Sequence, residues 1–340
     1  MKKFLIVVGI IFAASVIAFG ISVAATGINV KDGFGVSIAG TSLVKIAGGE
    51  GSEMKRGDVY SSSFTKAESE KVSKLRINTT SAETTISCDE SADEIRVNFV
   101  SNRFGTTFAA EIQNDELIVS ESGFGFFFSF LFNKGENRLD ITLPKSEYEK
   151  MSINSTSGNV KVENLIFEDF NSTSTSGTSE YNIFADNIRA FTTSGHTTIT
   201  NCTDKKASSL SFDTTSGSHN ISGFTADSFH IGSTSGKIIV DGLSGKGDVD
   251  LTSGSIELSY AEWDGDLDVN VTSGTCKVNL PGGAGVDARV DALSGGMTIK
   301  SSDGTSLSLS KSDSASVGGE NRHKIFADLT SGSVKVNIGE

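Results

Sequence analysis

Proline occurs only 2 times in this 340-residue chain. Proline removes a backbone donor and is kept out of paired strands, so its scarcity leaves the sequence open to extensive strand pairing. Cysteine is almost as rare. Cys88, Cys202 and Cys276 are odd in number and show no C-x-x-C or His/Cys spacing, which speaks against a disulfide framework or a zinc site. Each reads as a small core residue. Positive charge is also short: the net charge is −13 and the sequence pI about 4.8. No basic stripe exists to release phosphate counterions, which excludes a nucleic-acid partner. The four histidines, His196, His219, His230 and His323, are scattered and read as ordinary wall positions.

One apolar run is long. Phe4 to Ala25 carries no charge and follows Lys2 and Lys3. As a helix it spans about 33 Å, against a hydrocarbon core of about 30 Å. Ser22-Val23-Ala24 resembles a small-residue cleavage site, so a cleaved signal peptide is the rival. The apolar region of such a peptide usually covers about 7–15 residues, which is shorter than this run. The expectation is a transmembrane helix over residues 1–25, with the lysines inside and the bulk of the chain extracytoplasmic. The membrane is then the first partner.

Glycine, at 37 residues, is abundant, and it is not scattered. Ser-Gly recurs with glycines at Gly158, Gly177, Gly195, Gly217, Gly236, Gly254, Gly274, Gly295 and Gly332; the first eight are 18 to 22 residues apart and the last gap is 37. Thr precedes every pair except one, where Leu293 stands. Four residues after the glycines lie Val162, Tyr181, Ile199, Ile221, Val240, Leu258, Val278, Ile299 and Val336, with polar residues between the apolar ones. Four before the serines lie Ile153, Phe212, Ile231, Val249, Val269 and Val290. Period-two alternation on both sides of a turn means strand, corner, strand. About 20 residues are too few for a helical crossover, and one such unit cannot bury its own apolar face, so the units must stack. The predicted fold is all-β: a right-handed parallel β-helix, or solenoid, with rungs of about 20 residues.

The segments around this array divide the chain. Residues 26–70, rich in Gly and Ser, read as a membrane-proximal stalk of low order, and residues 71–150 as an irregular β cap. Within the cap, Thr80-Ser81-Ala82 with Leu75, Ile77 and Ile86 in phase resembles a decayed repeat. Residues 151–340 form the regular array, with 301–320 as an insertion loop or a degenerate coil before a last rung at Gly332.

The segment Leu139 to Val162, Leu-Asp-Ile-Thr-Leu-Pro followed by Tyr148, Ile153 and Asn154-Ser-Thr-Ser-Gly-Asn-Val-Lys-Val, resembles the opening of a bacterial adhesin-like β-strand-repeat family. That family is a domain of unknown function whose members include envelope-stress proteins of the Lia type, and the likeness covers roughly residues 71–338. It implies a membrane-anchored or surface solenoid with no catalytic residues to carry over.

Two features invite a function. Asp248, Asp250, Asp268 and Asp291, with Asn270 between, fall on outward positions of the strands before the corner. Rungs about 5 Å apart would bring like charges together, a stress that a bound cation or a basic ligand relieves. The plainer account is a solvated acidic face. Gly123 to Phe132 carries Phe124, Phe126, Phe127, Phe128, Phe130 and Phe132. These would either plug an open end of the solenoid or contact a membrane or partner. No catalytic constellation and no cofactor motif emerges. The expectation is a non-enzymatic surface module or envelope-stress sensor, with an envelope protein or a glycan as partner. A carbohydrate-active β-helix enzyme and a structural spacer are the alternatives.

Overall fold

The computed structural model describes residues 28–31, 35–38, 58–102, 106–123, 136–320 and 322–339. The expected membrane helix over residues 1–25 and the phenylalanines from Phe124 to Phe132 lie outside the described residues, as does most of the expected stalk. Among the described residues no helix is long and apolar enough to cross a membrane. The chain divides into two compact units, residues 1–52 and 53–340. Within the first, Ile28–Lys31 pairs antiparallel with Gly35–Ile38.

Among its described residues the second unit is all-β apart from a four-residue helix at Lys66–Ser69, and 25 strands form one continuous sheet wound into a solenoid. Rungs are named below by the glycine at their corner, with a lead-in strand before it and a lead-out strand after it. Alternation decides which side chains enter the core. Ile221, Val240, Leu258 and Val278 stand in register on successive lead-out strands and are at most 1% exposed. Phe212, Ile231, Val249 and Val269 make the matching column on the lead-in side. The core is therefore a bundle of apolar columns, each rung sealing the next.

The Thr-Ser-Gly corner is a hydrogen-bonding device. Ser176 donates to the Thr156 carbonyl of the previous rung twice, from its N–H at 2.9 Å and its hydroxyl at 3.1 Å. Ser194 does the same to Thr175, and Ser216 to Thr193. The glycine serves two ends. Gly177 and Gly217 hold positive φ of 102° and 117°, open to glycine at no steric cost. Gly158 does not; there a Cβ would collide with the Ala82 carbonyl oxygen of the neighbouring rung. Just before the threonine, buried hydroxyls add a feature that the alternation does not reveal: Ser174, Thr192 and Thr214 each donate to a carbonyl inside their own corner.

The ends depart from chain order. The Thr80-Ser81-Ala82 turn is a true rung, with Ile77 on Ile153 and Ile86 on Val162. Outside it lies a rung made by Glu116–Gly123 and Asn137–Leu143. Antiparallel strands Thr106–Gln113 and Arg96–Ser101 cover that rung, and Asp58–Ser63 pairs onto the second. Residues 58–69, expected within a loose stalk, thus belong to the solenoid; one Tyr60 among serines is too sparse a pattern to betray the strand.

At the other end, Gly332 does not mark the last rung. Its strands, Arg322–Leu329 and Ser333–Ile338, are interposed between the Gly274 and Gly295 rungs. Residues 301–320 retrace the Gly295 rung backwards: Ser306–Leu309 runs antiparallel to its lead-out strand, Ser312–Gly318 to its lead-in strand. A parallel stack would otherwise end in a row of unpaired donors and acceptors, and a polar antiparallel return covers it.

In sequence, residues 124–135 lie between the two strands of the outer N-terminal rung. The corner N–H groups of Thr80 and Ser81 meet a side chain where those of later rungs meet backbone carbonyls. Glu121, 2% exposed, fills that place, accepting from Thr80 N at 2.6 Å and Ser81 N at 3.0 Å. Asn137 donates to its other oxygen at 3.1 Å.

Two outcomes are expected in urea unfolding of the chain. Leu258→Asp buries an unpaired charge between two rungs and should cost about 3–5 kcal/mol; an unchanged midpoint would mean the strand phase is inverted. Glu121→Ala leaves two corner donors unpaired and should cost about 2–3 kcal/mol.

Candidate functional site

Outward positions on the lead-in wall also align in columns, because a parallel register carries any side chain directly over its counterpart. One column runs Ser211, His230, Asp248, Asp268, Phe326, Arg289. The next, two residues nearer the corner, runs Asp213, Gly232, Asp250, Asn270, Asp328, Asp291. The interposed Gly332 rung thus separates Asp291 from the other predicted aspartates by inserting Phe326 and Asp328.

The centre of these columns is His230, which the sequence alone presents as an ordinary wall residue. Its Nδ1 lies 2.7 Å from Asp248 Oδ2 and its Nε2 3.2 Å from Asp213 Oδ1, so one imidazole ties three successive rungs. Asp213 raises the imidazole most, burial opposes it, and Asp248 adds to the rise; the result is about 9. His230 Nδ1 or Nε2, Asp248 and Asp250 form a group whose ligating atoms lie within 4.8 Å of one another. The signal for this was present: His230 is 18 residues before Asp248, one rung away and in the same outward phase.

The like-charge stress expected of the aspartate wall is relieved within the chain itself. His230 joins Asp213 and Asp248, Asn270 donates to Asp250 at 2.9 Å, and Arg289 donates to Asp291 at 3.1 Å while lying over the Phe326 ring. Asp268 stands beside Asp248 in the ladder but outside the ligating group. The other histidines do other work. His219 is fully buried, its Nε2 between Thr214 Oγ1 and the Ser216 carbonyl, and burial lowers its pKa. His323 packs edge-on against Trp263. The three cysteines are free; burial pushes the Cys276 thiol up to about 12, which suits an inert core residue.

A second concavity, about 420 Å³, lies across the rungs near Tyr148 and Phe184. Lys145 sits 4.7 Å over the Tyr148 ring and Lys205 5.7 Å over the Phe184 ring, with Glu147, Glu149 and Glu168 on the same lining.

Residues 72–337 match the family described as Toastrack DUF4097. No curated protein matches the chain. Solved structures that resemble it include an adhesin candidate from Bacteroides fragilis, 12% identical, covering 83% of this chain and 99% of that one with a TM-score of 0.40. An adhesin candidate from Parabacteroides distasonis is 13% identical over 83% and 98% of the two chains, TM-score 0.40. A lipid-binding candidate from the same species is 11% identical over 83% and 98%, TM-score 0.33.

The bridge at His230 predicts a pH dependence. Its folded value lies above the ordinary 6.5, so its contribution to stability is complete below pH 6.5 and is lost as the pH rises through about 9. The gap in urea midpoint between the native chain and His230→Gln should therefore close across that window, in the presence of a chelator. A gap that stays constant with pH would show that the imidazole is not charged in the fold.

Proposed function

The chain belongs to the Toastrack DUF4097 family, and from that premise we propose that it is a membrane-anchored extracytoplasmic solenoid without enzymatic activity. It acts as an adhesin-like binding module or as an envelope-stress sensor, with an envelope protein or glycan as partner. The observation that carries this reading is the stacked, in-register wall. Each outward column presents side chains at the strand spacing, which suits recognition of an extended partner better than enclosure of a small substrate. The winding proposed is right-handed, with rungs of about 20 residues, because that is the hand parallel strand connections adopt. The reading without catalysis draws support from the aspartates of the wall: Asp248 is joined to His230, Asp250 to Asn270 and Asp291 to Arg289, so fewer carboxylates stand free to act as acid and base.

The anchor reading rests on the apolar run from Phe4 to Ala25. The full chain should stay in the membrane fraction after high-salt washing. A soluble product beginning near Ala25 would establish the signal-peptide alternative instead.

The Phe-rich segment lies in sequence between Glu116–Gly123 and Asn137–Leu143, the strands of the outer N-terminal rung. We assign it to a plug. Changing Phe126, Phe127 and Phe128 to Ser in a chain lacking residues 1–25 should lower the unfolding midpoint and leave liposome binding as it was. Unchanged stability with lost liposome binding would make these phenylalanines a membrane contact.

A further inference from the structure

We propose that His230, Asp248 and Asp250 form a site for a divalent first-row cation such as Zn²⁺, with Asp213 orienting the imidazole. Aspartates on an exposed wall would not support this; the imidazole and its surroundings do. Imidazole favours Zn²⁺ and its neighbours in the series, whereas a purely acidic wall favours harder cations.

The arrangement of the imidazole is the first observation. Its two nitrogens face different rungs. Nε2 points down to Asp213 Oδ1 at 3.2 Å, and Nδ1 points up toward Asp248 Oδ2 at 2.7 Å. A metal-bound histidine almost always donates its remaining ring N–H to a carboxylate, a backbone carbonyl or a water, which fixes the ring and strengthens the ligand. Here Asp213 holds that place. Nδ1 then faces Asp248, and one ring nitrogen, Asp248 and Asp250 offer ligating atoms within 4.8 Å of one another. When the cation binds, the Nδ1 proton leaves to solvent and the Nε2 proton stays on the bond to Asp213. Tetrahedral ligating atoms about 2.0–2.2 Å from Zn²⁺ stand about 3.4 Å apart, so Nδ1 and Asp248 would have to part by about 0.7 Å.

The second observation is Gly232. It sits inside a lead-in strand, buried, between Asp213 and Asp250 in their column, and its backbone is not in the left-handed region. No turn requires it. A Cβ at this point would collide with Asp213 Oδ1 and come within 3.3 Å of His230 Nε2. The missing side chain is what lets Asp213 lean over one rung to reach the imidazole. Glycine in a strand interior often marks such a close approach. The charged groups around the imidazole are Asp213, Asp248, Asp250 and, one rung further, Asp268.

The competing state is an imidazolium that bridges Asp213 and Asp248 with no use for Asp250. Zn²⁺ titration of the untagged full-length chain in detergent, followed by calorimetry and by the shift in thermal midpoint, separates the two. We expect one Zn²⁺ per chain and a raised midpoint. His230→Gln and Asp250→Asn should each weaken binding at least tenfold, Asp213→Asn by 10–100-fold, and Asp268→Asn hardly at all. Asp250 is exposed and outside the imidazolium bridge, so its variant keeps the fold. No saturable binding, or binding that survives both His230→Gln and Asp250→Asn, would overturn the site. The outcome does not depend on the anchor or on the identity of the partner.

Discussion

The bond from each corner serine to the threonine carbonyl of the preceding rung is the constraint on which the rest of the solenoid depends. The backbone N–H makes it at all nine Ser-Gly corners, and at Ser157, Ser176, Ser194, Ser216 and Ser235 the hydroxyl makes it again, so the corners cannot slide relative to one another. Once the corners are in register, the strands on either side are in register too. A slip of one residue would turn every apolar column outward. Serine supplies the second donor, and glycine lets the chains approach closely enough for both bonds to form. A Cβ at Gly158 or Gly195 would strike the backbone carbonyl beneath.

A ladder of this kind has a direction, and its two ends present different problems. Corner N–H groups point toward the N-terminal end, where the buried carboxylate of Glu121 receives them. Corner carbonyls point the other way, where the exposed Leu293 breaks the threonine series. The strands beside the corners are closed off at both ends by antiparallel segments. At both ends, too, a rung from the chain's own extremity is interposed beneath an outer one: the Ala82 rung at one end and the Gly332 rung at the other. Neither terminal rung is an open edge, so each has backbone partners on both sides.

The wall chemistry follows from the same register. Parallel stacking places equivalent positions directly above one another, so a charge on one rung always meets whatever the next rung offers. The chain answers like charges with His230, Asn270 and Arg289. The same rule that makes the core a set of apolar columns makes the surface a set of polar ones, and His230 is where three rungs meet.

Much of this was legible in the residues alone. The nine Ser-Gly turns, the period-two flanks and the decayed repeat at Thr80-Ser81-Ala82 determined strands, corners, the apolar columns and their stacking, because these depend on neighbours at a constant spacing along the chain. Asp248 and Asp250 were placed outward for the same reason. What tertiary structure alone decided is everything that breaks the constant spacing. The Gly332 rung moved inside the Gly295 rung, which took Asp291 away from the other aspartates. Glu121 became a corner cap by standing where backbone carbonyls stand at the later corners. His230 gained its meaning from Asp213, whose reach over Gly232 runs diagonally between rungs and leaves no periodic trace. Periodicity reports which face of a strand a residue occupies; which rung lies against which depends on the path of the connections, and that path is settled only when the open ends of the stack must find partners.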